Sequence, residues 1–298
     1  MPMTRRLLLA ATASLPGLGA APAWAQGEMT VAFAGSMGVV MDRGLGPAFS
    51  ARTGVGFQGI GQAAMGLAHL LAGKALVADV FVSVSAAPVR VVEAAGLTSR
   101  GVAFASTEMV LAYAPESAFA ARLAKAGADW RAILTAPGFR LGRTDPASDP
   151  QGQYVLYALQ LAEAYYKLPG FAARVAGAVE NPAQIFAEPS LLARLQNGQI
   201  DATLTYRSAA VSQHLPFIEL PPEINLSDPA MAGDWYGRAA LELHGETLHP
   251  SPLVFYAAVL RNAPNPRAAA AFVAFLRGAA GQRILARDGY GPGKGEDI

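Results

Sequence analysis

Two acidic residues, Asp149 and Glu188, stand just before predicted helices in the second half of the sequence. Asp149 lies in the segment GRTDPASDPQGQY, residues 142–154, where Pro150 and Gln151 follow it. Asp-Pro pairs are common in turns, and a carboxylate is favourable at the positive end of a helix dipole. The same two carboxylates could also contact a ligand, or form an acid–base pair as in glycoside hydrolysis. The residues alone therefore leave helix capping, ligand binding and catalysis open.

Polar groups at other predicted turns could accompany them. Gly35 and Ser36 follow the first predicted strand where a helix begins, so backbone N–H groups and a hydroxyl could meet an anion there, although a serine cap explains the pattern equally well. Ala34 stands where a nucleophile elbow needs glycine, which argues against a serine hydrolase. Gln62 follows a predicted glycine turn that lacks dinucleotide-binding spacing. Tyr206 ends a predicted strand and is equally compatible with a core position.

These residues depend on alternating strands and helices for their placement. Short apolar runs at 29–34 and 79–84 are separated by runs with helical spacing, which predicts an α/β fold with a mostly parallel sheet. A second α/β unit begins after residues 109–114. If that unit is doubly wound, Asp149, Glu188 and Tyr206 all lie at the sheet edge where ligands bind.

The composition limits the classes of protein. The chain has 298 residues, 52% hydrophobic and 15% charged, which is enough for two domains with sizeable cores. It has no cysteine, so disulfides, thiolate nucleophiles and cysteine metal sites are excluded. Its four histidines show no metal-ligand spacing.

The N-terminus predicts export. Arg5 and Arg6 precede an apolar run that ends at Ala23-Trp24-Ala25, the pattern of a signal peptide over residues 1–25. The arginine pair also resembles a twin-arginine signal. Cleavage would remove two arginines and no acid, leaving 21 basic and 22 acidic residues. A balance this close to neutral argues against a nucleic-acid partner, and we expect a periplasmic protein.

Six motifs in order resemble the molybdate/tungstate-binding proteins of ABC importers, most closely their tungstate-type branch. They are AGS, ADVF, GRTDPxxDPxGxY, ExxLLxxLxxG, YRSxAV and FIELPPEINLSDP. The resemblance implies an α/β fold of the periplasmic binding protein type II class, with two doubly wound α/β lobes joined by a hinge that the chain crosses twice. Residues 26–110 with 222–298 would form lobe one, residues 111–221 would form lobe two, and the ligand would occupy the cleft between them.

The resemblance also implies the site. Its ligand-binding residues would be Gly35, Ser36, Gln62, Asp149, Pro150, Gln151, Glu188 and Tyr206. Two positions depart from the branch, which usually has serine where Gln62 stands and cysteine where Gln151 stands. Asp149 and Glu188 would be ligands to the tungsten or molybdenum atom, because these large, hard centres can expand from four oxygens to six and accept carboxylates.

The function implied is capture of tungstate or molybdate and its delivery to the membrane permease of an ABC importer. We expect a monomer without a cofactor and without enzymatic activity. Two alternatives remain open at this point. One is the same fold binding sulfate or another small anion, which carboxylates would repel. The other is a carboxylate-pair hydrolase.

Overall fold

A computed structural model of the protein describes residues 27–125 and 129–298. The predicted signal peptide, residues 1–25, lies outside the described residues. Within the described ranges no helix has the length and apolar character needed to cross a membrane. The fold is mixed α/β, and its strands are β1 Glu28–Ala34, β2 Gly56–Gln62, β3 Val80–Ser83, β4 Val102–Ser106, β5 Met109–Tyr113, β6 Ala202–Tyr206, β7 Phe217–Glu219, β8 Leu241–Leu243, β9 Glu246–Leu248, β10 Val254–Val259 and β11 Gly291–Pro292.

The helices alternate with these strands. In the described part of the chain, short 3-10 turns at Gly35–Met37, Pro229–Met231 and Tyr236–Arg238 and a π-type segment at Met41–Leu45 accompany them. The α-helices are α1 Gly38–Val40, α2 Gly46–Thr53, α3 Ala64–Ala72, α4 Ala86–Ala94, α5 Ala120–Leu123, α6 Trp130–Leu134, α7 Pro150–Tyr166, α8 Phe171–Ala176, α9 Glu188–Gln196, α10 Arg207–Ser212, α11 Pro222–Asn225, α12 Pro266–Arg277 and α13 Ala279–Arg287.

The larger sheet has six strands in the order β11-β4-β10-β3-β1-β2. β1 pairs in parallel with β2 and β3, while β10 runs antiparallel between β3 and β4. Every residue of β3 is buried, as its continuous apolar run predicts for a strand covered on both faces. The carboxyl ends of β1, β2 and β3 therefore meet at one edge of this sheet.

The smaller sheet has three strands in the order β6-β5-β7, and β5 runs antiparallel to both neighbours. Two isolated parallel bridges extend it, from Leu141 to Ala202 and from Arg143 to Ile185. The segments around Leu141 and Ile185 thus run in the same direction as β6. The mostly parallel order predicted for the first unit holds for β1, β2 and β3 of the larger sheet and not for β10. In the smaller sheet, parallel neighbours occur at these bridged segments and not at β5.

The two sheets have separate apolar cores. One cluster covers the six-stranded sheet on the side of α12, with Phe33, Phe255 and Phe272 at its centre. Another surrounds α7 and the three-stranded sheet, and it includes Ile224 and Leu253. The lobe boundaries derived from the resemblance stay a prediction, because packing alone does not tell which elements move together.

The glycine-rich segment GFQGIGQ forms β2, although its glycines predict a turn. The reason is the neighbouring strand. A Cβ atom on Gly59 would lie 2.8 Å from the Phe33 ring, and one on Gly61 would lie 2.7 Å from it. Phe33 is fully buried in the core, so the two glycines make the room that its ring occupies.

Replacing Gly61 by alanine is therefore expected to destabilise the protein. Alanine loses less backbone entropy than glycine on folding, which favours the folded state by about 0.5–1 kcal/mol. Overpacking against a buried ring, however, costs about 1–3 kcal/mol. Gly66→Ala is the matched control, because its Cβ would meet nothing within 4 Å and alanine favours the helix. Denaturant unfolding should show a lower free energy for the first variant and an equal or higher one for the second. Equal gains in both variants would contradict this account.

Candidate ligand-binding site

The first group of predicted site residues lies at the carboxyl end of β1. The 3-10 turn Gly35–Met37 starts there, and its N-cap residue is Ala34, which offers no side-chain acceptor. Ser36 is the second residue of the turn and not its cap, so the serine-cap interpretation is wrong. Gly35 is exposed and Ser36 partly exposed. The first N–H groups of a helical turn lack partners within the turn, so this position can donate hydrogen bonds to an anion.

Gln62 lies beside this turn, as the last residue of β2. The register pairs Ala34 with Gln62, and a Cβ atom on Gly35 would be 3.7 Å from the Gln62 carbonyl oxygen. Its side chain is exposed. The N-cap of α3 is Ala63, which makes no side-chain capping bond. The structure therefore places Gln62 next to Gly35, as a strand end and not as a helix start.

A third turn at this edge was missed by the sequence reasoning. β3 ends at Ser83, and α4 begins after Ser85. The buried Ser83 hydroxyl donates to the Ser85 carbonyl oxygen at 2.8 Å, which fixes the turn. The signal was present as the sequence SVS after a buried strand, but the serines look like ordinary turn residues.

Asp149 is the N-cap of α7, as its helix-capping interpretation predicts. Its Oδ1 accepts a hydrogen bond from the Gln151 N–H at 2.9 Å, and Pro150 occupies the first turn. Within the described residues this is the one hydrogen bond of the carboxylate, so Oδ2 is left for a ligand. Asp149 is partly exposed. Capping and ligand binding are thus compatible, because each uses a different oxygen.

Gln151 has a structural partner. Its side chain is buried, and Nε2 donates to the Leu204 carbonyl oxygen at 3.3 Å. This bond ties the start of α7 to β6, two residues before Tyr206. The backbone N–H of Gln151 is engaged by Asp149, so its backbone nitrogen and its side-chain amide both have a protein partner in this structure.

The last two predicted residues begin neighbouring helices. Glu188 is the first residue of α9, and its side chain lies outside the described part of the chain. Tyr206 ends β6 and is the N-cap of α10. Its ring is buried in the core around α7 and meets the Tyr154 ring edge to face at 6.3 Å. The core interpretation of the Tyr206 ring is therefore correct.

The backbone brings these helix starts to a single edge. The Gly142 N–H donates to the Ala202 carbonyl at 3.0 Å, and the Phe186 N–H donates to the Arg143 carbonyl at 3.0 Å. Three parallel segments therefore lie side by side, and α7, α9 and α10 begin beyond their carboxyl ends. The expected grouping of Asp149, Glu188 and Tyr206 at one edge is confirmed for the backbone positions.

One tyrosine connects the two edges. The Tyr290 hydroxyl donates to the Ser36 carbonyl oxygen at 3.2 Å, and the nearby Ser208 side chain opposes the rise that burial causes in the pKa of Tyr290. Ser208 lies in α10, two residues after Tyr206. The Tyr290 side chain thus lies between the turn at Gly35–Met37, which follows β1 of the larger sheet, and the start of α10, which follows β6 of the smaller sheet.

A buried positive charge lies below the Asp-Pro loop. Arg143 is fully buried, and its Nη2 donates to the carbonyl oxygens of Ala178 and Val179 at 3.0 and 2.6 Å. Burial lowers the pKa of Arg143, and the charge of Asp145 opposes that shift. Its Nη1 has no hydrogen-bond partner among the described atoms. A buried guanidinium of this kind favours negative charge nearby.

The chemistry available at this site is anion binding. Helix starts, a hydroxyl and one free carboxylate oxygen are present at the two edges. Among the described residues no group of three or more His, Asp or Glu could hold a metal ion directly.

Comparison with known proteins agrees with this chemistry. Residues 29–291 match the family model described as bacterial extracellular solute-binding protein. The molybdate/tungstate-binding protein WtpA of Thermococcus kodakarensis is 31% identical over 205 residues, which cover 62% of this chain and 58% of that protein. The chain thus matches somewhat more than half the length of such relatives.

Solved structures share the fold at low sequence identity. The periplasmic molybdate-binding protein of Azotobacter vinelandii has a TM-score of 0.60 and 14% identity, covering 88% of this chain and 98% of that one. The sulfate-binding protein SubI of Mycobacterium tuberculosis has a TM-score of 0.56 and 17% identity, covering 90% and 87%. Identities this low establish the periplasmic binding protein fold alone.

Proposed function

This chain belongs to the bacterial extracellular solute-binding protein family, and we propose that its solute is tungstate or molybdate. The observation that carries the proposal is the position of Asp149. Its carboxylate caps α7 through Oδ1 and keeps Oδ2 for a ligand, at the same edge where Glu188 and Tyr206 begin their helices. The name of the relative from Thermococcus kodakarensis supports the same solute.

Carboxylates in an oxyanion site favour binding only when the central atom of the anion accepts further oxygen ligands. Sulfate and phosphate have a central atom that accepts no further oxygen ligand, so a carboxylate beside them contributes repulsion alone. Tungsten and molybdenum are larger, hard centres that accept carboxylate oxygens. Asp149 and Glu188 would complete the coordination of the metal atom, while the turn at Gly35 and Ser36 would donate to the oxygens of the anion. Arg143 would offset part of the accumulated negative charge.

The remaining predicted residues take lesser roles in this proposal. Gln62 would contribute its exposed side chain from the end of β2, and Tyr206 would support the edge from which Glu188 and Asp149 act. Pro150 and Gln151 would fix the first turn of α7, since the Gln151 side chain is bonded to β6.

Family membership also argues against the alternative of a carboxylate-pair hydrolase. The family consists of solute-binding proteins, so the pair Asp149 and Glu188 is assigned to binding and not to hydrolysis. As expectations of the same proposal, the protein is exported through residues 1–25, acts in the periplasm as a monomer and needs no cofactor. It delivers its anion to the permease of an ABC importer.

A panel of oxyanions tests the proposal directly. Tungstate and molybdate should raise the melting temperature of the purified protein, because a ligand that binds only the folded state stabilises it by about 2.7 kcal/mol at one hundred times its Kd. Sulfate, phosphate and chromate at the same concentration should leave the melting temperature unchanged. A shift with sulfate equal to that with tungstate would contradict the proposal and favour a general anion binder, and no shift with any anion would end it.

A further inference from the structure

Tyr290 is a buried residue to which no role in binding has been assigned. It is 6% exposed, and its ring packs edge to face on Phe255 at 5.4 Å, inside the core of the six-stranded sheet. Packing alone would be served by phenylalanine. The hydroxyl adds a hydrogen bond to the Ser36 carbonyl oxygen at 3.2 Å.

The contact with Ser36 acts on the proposed anion turn. In a trans peptide the C=O and N–H bonds point in opposite directions. A carbonyl held by Tyr290 therefore fixes the orientation of the whole peptide plane between Ser36 and Met37. The turn at Gly35–Met37 lacks a side-chain cap, so the Tyr290 hydroxyl is a restraint that its own residues do not supply.

The turn that carries Tyr290 also contacts α10, the helix that follows β6 of the smaller sheet. The Arg207 Nη1 donates to the Gly289 carbonyl oxygen at 3.2 Å, and the Ser208 and Thr107 hydroxyls are 3.4 Å apart. Gly289 has a φ of +85°, and a Cβ atom there would lie 2.8 Å from Val211. The turn that carries Tyr290 is thus closely packed against α10.

We propose that Tyr290 is a positioning residue for the bound anion, which holds the Ser36 turn and couples it to the start of α10. This inference rests on the proposed oxyanion site. Tyr290 is not among the ligand-binding residues that the family resemblance implies. The hydroxyl does not touch the ligand. It sets the relative position of the two groups that do, the turn after β1 and the helix starts around Tyr206.

Removing the hydroxyl separates positioning from packing. Tyr290→Phe should raise the Kd for tungstate about tenfold, the loss of one net hydrogen bond's contribution. Tyr256→Phe is the matched control, a tyrosine of the same sheet that is 9% exposed and lies on β10, and its Kd should equal that of the wild type.

A second measurement does not depend on the ligand. In the ligand-free protein, amide hydrogen exchange over residues 35–40 should be faster in Tyr290→Phe than in the wild type and unchanged in Tyr256→Phe. A wild-type Kd in Tyr290→Phe would overturn the inference. If the wild type binds no oxyanion, the proposed function fails. The exchange rates then still decide, since unchanged exchange over residues 35–40 would overturn the coupling as well.

Discussion

Asp149→Asn is expected to keep the stability of the protein and to lose its tungstate. Asparagine caps helices as well as aspartate does, so the bond from the Gln151 N–H survives, and the melting temperature of the ligand-free protein should not change. The charged oxygen that would join the coordination of the metal atom is lost. Calorimetry should show a Kd at least about one hundredfold higher, equivalent to about 2.7 kcal/mol. Glu188→Gln should weaken binding by a similar factor.

The chain contains a matched control for this experiment. Asp228 also precedes a proline, and its Oδ1 accepts from the Ala230 N–H at 2.9 Å as the cap of a short 3-10 helix. It is partly exposed, as Asp149 is. Asp228→Asn should leave both stability and tungstate affinity at the wild-type level. If Asp149→Asn also binds tungstate with wild-type affinity, the Asp149 carboxylate acts only as a helix cap, and the coordination hypothesis is wrong.

Asp201→Ala is expected to be the most destabilising of the single changes considered. Asp201 stands just before β6 in the chain. Its side chain is buried and accepts four hydrogen bonds. The donors are the Ser117 hydroxyl at 2.7 Å, the Arg140 N–H at 2.7 Å, and the Arg140 Nε and Nη2 at 3.1 and 2.9 Å. Removing the carboxylate leaves the buried Ser117 hydroxyl and the Arg140 backbone N–H without their acceptor, while the exposed Arg140 guanidinium returns to water, and the loss should cost about 2 kcal/mol.

The effect of Asp201 should depend on pH in a defined direction. Burial by itself raises the pKa of Asp201, but the hydrogen bonds from Arg140 and Ser117 outweigh it and leave the pKa below its ordinary value. A lowered pKa contributes stability above the unfolded-state pKa of about 3.9, and the contribution is lost as the pH falls through the folded-state pKa. The difference between wild type and Asp201→Ala should therefore be constant from pH 7 to about pH 4 and shrink below that.

Denaturant unfolding at several pH values measures this difference. Glu93→Ala is the control, because Glu93 faces Arg90 at 3.8 Å on an exposed helix surface and such pairs are worth less than about 1 kcal/mol. An Asp201→Ala variant as stable as Glu93→Ala would show that the buried network has no net effect. A difference that grows as the pH falls would contradict the direction assigned to the pKa.

The order of elements and the grouping of the site could be predicted because both follow from local patterns. The apolar run at β3 identifies a buried strand, and Asp149 before Pro150 identifies a helix start. From these, the rule that ligands bind beyond the carboxyl ends of parallel strands places Asp149 near Tyr206 without any structure. The prediction of an export signal and the absence of cysteine chemistry likewise depend on the sequence alone.

Other features were decided by contacts between residues far apart in the chain. The glycines of β2 looked like a turn, because nothing nearby in sequence indicates that the Phe33 ring lies against them. Which oxygen of Asp149 caps α7, and which one stays open, depended on the position of the Gln151 N–H. Tyr290 stands 254 residues after Ser36, and no local pattern connects them. Sequence determines periodicity and turn chemistry, which act over a few residues, whereas the side chains that share a cavity are selected by the packing of the whole chain.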